Sequence, residues 1–186
     1  PAKEKRVGVT ITENYREQNR QLHETNAGYG NGIASKYWFP LIEGIAKQLD
    51  AAAVIDFGCG KGALARTVPS LLVIGYDPAI PGMDKMPSPA DLVVCNDVLE
   101  HIEPECLAAV LDELQRLAIK GVFLSINTHP AAKTLPDGRN AHLIQEPPDW
   151  WLPKLMARWS LQMFHTHPKG GDFGVFMLTK KNKVRA

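Results

Sequence analysis

The chain has 186 residues, of which 45% are hydrophobic and 22% are charged, and its formal net charge is +1. These values predict one globular domain and exclude a disordered chain, and the small net charge argues against a nucleic-acid partner. No apolar run is long enough to span a membrane, so no membrane association is expected. Three cysteines without paired metal-ligand spacing and a polar start of the chain favour a cytoplasmic protein with reduced thiols.

The chain begins with a polar segment that differs from the rest. Residues Glu13–Glu24 carry many helix formers, and residues 26–32 are rich in glycine. Such a glycine-rich stretch fits either a plain turn or a lid that folds over a ligand. We therefore predict an N-terminal segment at 1–33, with a lid as its candidate role, and a single domain at 34–186.

Beyond this segment, helical spacing of apolar residues alternates with short apolar runs. Helices are predicted at 34–49, from the glycine turn to Val68, at 104–117 and at 150–159. Strands are predicted at 53–57, 71–76, 91–96, 121–127, 161–165 and 175–179. The apolar run at 71–77 has the pattern of a strand buried on both faces. The alternation predicts an α/β fold, a mostly parallel twisted sheet with helices on both faces and a C-terminal antiparallel hairpin.

The most informative stretch is VIDFGCGKGALA at residues 54–65, which predicts a buried strand, a glycine-rich turn and the first turn of a helix. Glycines allow close approach to the main chain, and a helix start offers free N–H groups. In open α/β sheets, ligands bind beyond the carboxyl ends of the strands. Asp77 ends the next predicted strand, where an acid accepts hydrogen bonds from ribose hydroxyls. We therefore expect a nucleoside-containing cofactor.

Two cofactors compete for this turn. Gly58-x-Gly60-x-x-Ala63 satisfies the dinucleotide pattern. Asp56, however, lies two residues before the first glycine, where a carboxylate would repel a pyrophosphate. The pattern Asp-x-Gly-x-Gly-x-Gly suits a cationic ligand better, and S-adenosylmethionine carries both an ammonium and a sulfonium group.

The same stretches resemble a known family. Residues 56–62 resemble the first motif of class I S-adenosylmethionine-dependent methyltransferases, and Gly75-Tyr76-Asp77 resembles their ribose-binding acid. Residues 91–102, DLVVCNDVLEHI, resemble the fourth-strand motif of the small-molecule subgroup, which includes the ubiquinone and menaquinone methyltransferases. The resemblance covers residues 34–180 and implies a Rossmann-like sheet whose closing hairpin matches the antiparallel seventh strand of the family.

The chain departs from the family pattern in one region. The third strand and its helix are replaced by the proline-rich residues 78–90, so the third-strand region is shortened. Residues 135–143, followed by Trp150 and Trp151, resemble a pattern in compact phage and bacterial members.

The resemblance assigns cofactor-binding roles. It implies that Gly58, Gly60 and Gly62 carry the methionine part of S-adenosylmethionine on their backbone. Asp56 orients the turn or reaches the ammonium through water, and Asp77 holds the ribose.

Further cofactor contacts are implied by position. Asn96 and Asp97 lie where the chain of the family meets the methionine end and the methyl group. Tyr29 and Tyr37 are placed to close over the carboxylate from the N-terminal side, with simple packing as the alternative for both.

The long loop at 129–149 is expected to select the methyl acceptor. His142 is a candidate catalytic base, because a neutral imidazole accepts a proton from a hydroxyl or an amine. The alternative for His142 is a hydrogen bond within the loop. Arg139 is a candidate for pairing with a substrate carboxylate or phosphate, and Trp150 for lining an apolar substrate pocket.

Glu100 and His101 follow the predicted third strand. Both an acid–base role and a structural role fit them, and we keep His101 as a second catalytic candidate. No metal site is predicted, since spacing such as His-x-x-x-His is absent and Glu103 and Glu105 fit a solvated helix start.

These observations predict an S-adenosylmethionine-dependent methyltransferase that acts on a small molecule. The alternatives are a nucleic-acid or protein methyltransferase, a non-catalytic S-adenosylmethionine-binding protein and an NAD-dependent reductase. The Asn-Pro-Pro-Tyr motif of base-amine methylation is absent, since the chain reads Asn-Asp-Val-Leu at 96–99.

Overall fold

The structure is a computed structural model that describes residues 8–32 and 34–180. Five α-helices and six strands follow one another within these residues. The helices are α1 Glu13–Thr25, α2 Phe39–Gln48, α3 Ala63–Thr67, α4 Leu107–Leu117 and α5 Pro148–Met156. The strands are β1 Val54–Phe57, β2 Val73–Tyr76, β3 Ala90–Asn96, β4 Ala118–Asn127, β5 Trp159–Thr166 and β6 Asp172–Thr179.

The strands form a single six-stranded sheet in the order β2-β1-β3-β4-β6-β5. Strands β1 to β4 are parallel, while β6 is antiparallel to both β4 and β5 and lies between them. This topology confirms the predicted α/β fold with a mostly parallel sheet and a C-terminal antiparallel hairpin. It also brings the carboxyl ends of β1, β2 and β3 to one edge of the sheet.

The two faces of the sheet are covered by different helices. Alternate residues of β3 point to opposite faces, as strand geometry requires. Val93 and Cys95 pack with α4 and α5, whereas Leu92 and Val94 pack with α2 and α3. The three cysteines are unpaired and buried, in agreement with the reduced thiols expected from the sequence.

Strand β2 corrects one prediction. The apolar run at 71–77 has the pattern of a strand covered on both faces, but β2 is the edge strand of the sheet. Leu72 is 66% exposed and Ile74 39% exposed. The physical reason is local, since residues 78–89 form turns and extended chain rather than a helix that would pack over the edge.

Three predicted helices have different bounds in the structure. Residues Ala34–Trp38 form a 3-10 turn before α2, with Pro40 in the first turn of the helix as expected. Helix α4 begins three residues later than predicted, at Leu107. Helix α5 spans Pro148–Met156, so Trp159 is the first residue of β5 rather than the end of a helix.

The N-terminal helix α1 is held against the segment that follows β3. The backbone N–H of Thr12 and its hydroxyl both donate to the carboxylate of Glu103, at 2.8 and 2.7 Å. The hydroxyl of Tyr15 donates to the carbonyl oxygen of His101 at 2.6 Å. Glu103 is therefore buried and engaged, and its predicted place at a solvated helix start is wrong, whereas Glu105 is exposed. None of the helices in the described chain is long and apolar enough to cross a membrane.

Candidate functional site

Two adjoining cavities lie at the carboxyl ends of β1, β2 and β3. Both are lined by Gly30, Gly58, Gly60 and Asp97. The larger cavity extends to Asp77 and the N-terminal helix, and the smaller one extends to Asp56, Asn96 and the start of α3. The cavities therefore occupy the place that an α/β sheet offers to a ligand.

The glycine turn between β1 and α3 forms the floor of the site. Gly60 has a φ of +51°, and a Cβ atom there would stand 2.4 Å from the carbonyl oxygen of Gly30. Gly58 has a φ of +77°, and a Cβ atom there would meet Val98 at 2.5 Å. The glycines at these two positions are thus required both by backbone conformation and by close packing. The N-terminal segment is joined to the turn, because the N–H of Lys61 donates to the Gly30 carbonyl at 2.7 Å.

Asp77 is buried at the end of β2 and faces the glycine turn. Its carboxylate accepts hydrogen bonds from the backbone N–H of Gly60 at 3.1 Å and of Ala79 at 3.0 Å. The Nε2 atom of His23 lies 3.9 Å from the same carboxylate. Asp77 therefore links the glycine turn, its own turn and α1 at one point of the larger cavity.

Asp56, the first residue of the motif, is buried at the end of β1 and lines the smaller cavity. Burial, and to a lesser extent the negative charge of Asp77, raises the pKa of its carboxyl group to about 7. A cation bound beside these two carboxylates would offset their repulsion. This arrangement suits a positively charged ligand.

The buried position of Asp56 predicts a pH dependence of folding. Because the folded-state pKa of about 7 is above the ordinary value of 3.8, the contribution of this group to stability is complete below the lower value and is lost as pH rises through the higher one. We expect the free energy of unfolding of the wild type, relative to Asp56→Asn, to fall by about 3 kcal/mol between pH 5 and pH 8. Urea titrations of both proteins at these pH values measure it. Parallel pH profiles would contradict the assignment, and Asp84→Asn, at an exposed carboxyl group, is the control.

The ends of β3 and β4 are joined by a network around Ser125. The Ser125 hydroxyl donates to the side-chain oxygen of Asn96, whose amide group donates to the Ser35 carbonyl at 3.3 Å. The N–H of Asp97 is shared between the carbonyl oxygen of Ser125, at 3.1 Å, and its hydroxyl, at 3.0 Å. Asp97 is held with a φ of +61°, which is uncommon for a residue other than glycine and costs of order 1 kcal/mol.

The N-terminal segment supplies one wall of the larger cavity. Tyr29 lines it, donates its hydroxyl to the side-chain oxygen of Asn19 at 2.6 Å and packs edge-on against His23. Sequence reasoning did not single out His23 or Asn19, because the thin apolar stripe of α1 carries no motif. Only the docking of α1 brings both residues to the larger cavity and His23 to Asp77. Burial lowers the pKa of His23.

Four polar side chains converge beside the larger cavity. They come from the segment after β3 and from the loop after β4, and they are Asp97, Glu100, His101 and His142. One nitrogen or oxygen atom of each lies within 4.8 Å of the corresponding atom of every other member. Burial raises the pKa of Glu100 well above its ordinary value, and it lowers the pKa of His101 to about 4.

The structure does not bring every predicted residue to the cavities. Arg139 pairs with Asp137, whose carboxylate accepts from its Nε at 2.9 Å. Trp150 packs against Trp151 and under Lys154. Tyr37 contacts His165 instead of the glycine turn. None of the three lines either cavity.

Gly62 also stands apart from the lining residues. It precedes α3 with a φ of +71° and donates its N–H to the Cys59 carbonyl at 2.9 Å. It shapes the start of the helix, whereas Gly58 and Gly60 line the cavities.

Comparison with known proteins agrees with this geometry. A family model described as a methyltransferase domain matches residues 31–168. The chain belongs to this family of methyltransferase domains, which confirms the resemblance seen in the sequence. A search of curated proteins finds no match.

Solved structures share the fold at low sequence identity. A Burkholderia thailandensis 1,6-didemethyltoxoflavin-N1-methyltransferase, with bound 1,6-didemethyltoxoflavin and S-adenosylhomocysteine, is 14% identical with a TM-score of 0.65 and covers 94% of this chain and 92% of its own. A Synechocystis magnesium protoporphyrin IX methyltransferase with bound S-adenosylmethionine is 14% identical with a TM-score of 0.61. The alignment covers 92% of this chain and 100% of the Synechocystis chain. An S-adenosylmethionine-dependent methyltransferase from Clostridium acetobutylicum is 9% identical with a TM-score of 0.64. The alignment covers 86% of this chain and 99% of the Clostridium chain.

Proposed function

We propose that this protein transfers a methyl group from S-adenosylmethionine to a small-molecule acceptor. The observation that carries the proposal is the charge of the two cavities. Among the described residues that line them, three are aspartates and none is a lysine or an arginine. A cationic cofactor fits such a site, and a pyrophosphate does not.

Different residues of the site would contact different parts of the cofactor. Asp77 would accept hydrogen bonds from the ribose hydroxyls, because its carboxylate is buried at the end of β2 and lines the larger cavity. Gly58 and Gly60 would allow the methionine part to lie against the backbone. Asp56 and Asn96 line the smaller cavity, where Asp56 would offset the charge of the ammonium group.

S-adenosylmethionine supplies a methyl group that is activated by its positively charged sulfur. The contribution of the chain is to bind, to orient and to exclude water. Holding an acceptor close to a reactive group can account for several kcal/mol of the barrier. The wall formed by Tyr29 and α1 encloses the larger cavity, and its opening to admit the cofactor is the lid role that we propose for this segment.

His142 is a candidate for proton removal from the acceptor. Its Nδ1 atom faces the carbonyl oxygen of His129. A carbonyl oxygen only accepts, so Nδ1 carries the proton and Nε2 keeps a lone pair. His101 has the same arrangement, since its Nδ1 donates to the Ala141 carbonyl at 2.8 Å. Each ring therefore presents a proton acceptor, but only His101 lines the larger cavity, and His142 lies against the His101 ring.

A small-molecule acceptor is supported by two of the similar structures, whose names specify a toxoflavin precursor and a magnesium porphyrin. The net charge of +1 supplies no strong attraction to nucleic acid. A nucleic-acid or protein methyltransferase, a non-catalytic S-adenosylmethionine-binding protein and an NAD-dependent reductase are the alternative outcomes of the test.

The test has two parts, binding and transfer. We expect calorimetry to show binding of S-adenosylmethionine and S-adenosylhomocysteine and no binding of NAD. Incubation with methyl-labelled S-adenosylmethionine and a fractionated cell extract should then label the small-molecule fraction. Binding of NAD without binding of S-adenosylmethionine would contradict the assignment of S-adenosylmethionine as the cofactor. Label confined to nucleic acid or protein would overturn the acceptor class, and binding without transfer into any fraction would indicate a non-catalytic protein.

A further inference from the structure

We propose that Asp97, Glu100, His101 and His142 form a binding site for a divalent first-row transition-metal ion beside the larger cavity. These residues are the only group of at least three histidine, cysteine or carboxylate side chains within 8–32 and 34–180 whose ligand atoms are close enough to share an ion. Their atoms lie within 4.8 Å of one another. The sequence alone predicts no metal site.

The two imidazole rings are prepared as ligands. Both donate their Nδ1–H groups to backbone carbonyl oxygens, His101 to Ala141 and His142 to His129. Each ring thus keeps the Nε2 lone pair for a ligand, and an ion bound there takes the place of the proton that the same lone pair accepts when no ion is bound. A backbone carbonyl that orients the second nitrogen is the usual support of a metal-binding histidine. The rings meet edge to face, with centroids 4.6 Å apart.

Glu100 supplies the second, independent observation. Its side chain is completely buried, with 0% exposure. One carboxylate oxygen accepts from the N–H of Asn127 at 2.7 Å, while the other, Oε2, has no hydrogen-bond partner among the described residues. An unpartnered carboxylate oxygen in the interior is costly. A metal ion coordinated by Oε2 removes that cost and also offsets the repulsion between Glu100 and Asp97.

The donor set indicates the class of ion. Two imidazole nitrogens and two carboxylate oxygens suit Mn²⁺, Fe²⁺, Co²⁺ or Zn²⁺ better than Ca²⁺, which prefers six to eight oxygens. Such ions hold their ligands at about 2.1 Å, so donors on opposite sides stand about 4.2 Å apart. Donors at neighbouring positions around such an ion stand about 3.0–3.4 Å apart. Atoms that lie within 4.8 Å of one another would therefore move closer by up to about 1.8 Å to share it.

The position of the site links it to the acceptor. Asp97 and His101 line the larger cavity as well, so an ion held by them is accessible from it. A divalent ion lowers the pKa of a bound hydroxyl group or water. We assign it the role of binding an oxygen atom of the acceptor. This role rests on the proposed function, whereas the binding of the ion does not.

The experiment measures ion binding without cofactor or acceptor. Protein that has been stripped with a chelator and then freed of it is titrated with MnCl₂, followed by the electron paramagnetic resonance of free Mn²⁺, and separately with ZnCl₂ by calorimetry. We expect one ion per chain with a Kd of about 10 μM or tighter. In His142→Asn the shorter amide can still donate to the His129 carbonyl but lacks the Nε2 ligand. Its affinity for both ions should fall by at least about 100-fold.

Matched controls separate this site from surface binding. Glu105→Gln removes an exposed carboxylate near Glu100 in the sequence, and His165→Asn removes a histidine that contacts Tyr37. Both should bind as the wild type does. Saturable binding that His142→Asn leaves unchanged would overturn the proposal, as would no binding at ~1 mM of either ion.

A second variant tests whether a proton, and not a metal ion, lies between Glu100 and Asp97. Glu100→Gln replaces the carboxyl group, which can bind an ion as a carboxylate, by a neutral amide of the same shape, and circular dichroism verifies its fold. If an ion binds there, the affinity falls by a similar factor. If the wild type binds no ion and Glu100→Gln is at least as stable, a proton shared by Glu100 and Asp97 fills the site and the proposal is wrong. Calorimetry with S-adenosylhomocysteine on the same variants distinguishes failure of the ion site from failure of the proposed function.

Discussion

Replacing Asp77 with alanine should lower the affinity for S-adenosylhomocysteine by at least about 100-fold, which corresponds to ~3 kcal/mol. The carboxylate is the acceptor that we assign to both ribose hydroxyls, and charge-assisted hydrogen bonds of this kind are the strong ones. Its loss also removes the acceptor for the N–H groups of Gly60 and Ala79, so the glycine turn loses an anchor. Calorimetry with S-adenosylhomocysteine measures the effect without a need to know the acceptor.

The control for this variant is Asp84→Ala, which removes an exposed carboxyl group from the turn that follows β2 and should change the affinity less than about twofold. Asp77→Asn keeps oxygen and nitrogen atoms in place but loses the charge, so an intermediate affinity is expected. Wild-type affinity in a folded Asp77→Ala protein would show that the ribose does not lie at the end of β2.

Gly60→Ala should lower the free energy of unfolding by about 3–4 kcal/mol. One part of this cost is the positive φ of +51°, which disfavours any side chain by about 1 kcal/mol. The larger part is steric, because the new methyl group would stand 2.4 Å from the carbonyl oxygen of Gly30 and 2.9 Å from its Cα. That neighbour is backbone, so relief requires the N-terminal segment to move away from the turn. Urea unfolding followed by circular dichroism measures the loss.

Gly82→Ala isolates the steric part of this prediction. Gly82 has a φ of +86°, but a Cβ atom there meets nothing within 4 Å. The variant should lose only the conformational cost of about 1 kcal/mol. Equal losses in the two variants would contradict the close packing of Gly30 on Gly60. We also expect weakened cofactor binding in Gly60→Ala alone, since its methyl group forces the wall of the cavity outward.

The wall of the site explains why these two effects are coupled. Gly30 packs on Gly60, Gly60 donates to Asp77, and Asp77 lies 3.9 Å from the Nε2 of His23. A change at any of these positions is therefore transmitted to the N-terminal segment. Cofactor binding and docking of this segment should be linked for the same reason.

The cofactor side of the site could be predicted from the sequence because its determinants are local. A strand, a glycine turn and a helix start are encoded within residues 54–65, and Asp77 ends the next strand. Parallel strands place their carboxyl ends together, so two local patterns suffice to define the place. The family match at 31–168 confirms the class of protein that these patterns predict.

The acceptor side could not be predicted in the same way. Arg139 and Trp150 were selected by residue type in a long loop, but the path of such a loop is decided by contacts distant in sequence. The structure pairs Arg139 with Asp137 and packs Trp150 on Trp151, and neither residue lines a cavity. The lack of metal-ligand spacing was equally uninformative, because His142 reaches His101 only when the loop after β4 folds back.

The sequence alone thus determined the α/β class, the glycine turn, the site acids Asp56 and Asp77 and the methyltransferase family, since each depends on short-range pattern. Only the tertiary structure decided that β2 is an edge strand, that α1 docks His23 near Asp77, and that Glu100, His101 and His142 meet beside Asp97. These three features of the tertiary structure have the same physical reason. Packing between segments far apart in the chain brings these groups together, and no local spacing encodes that distance.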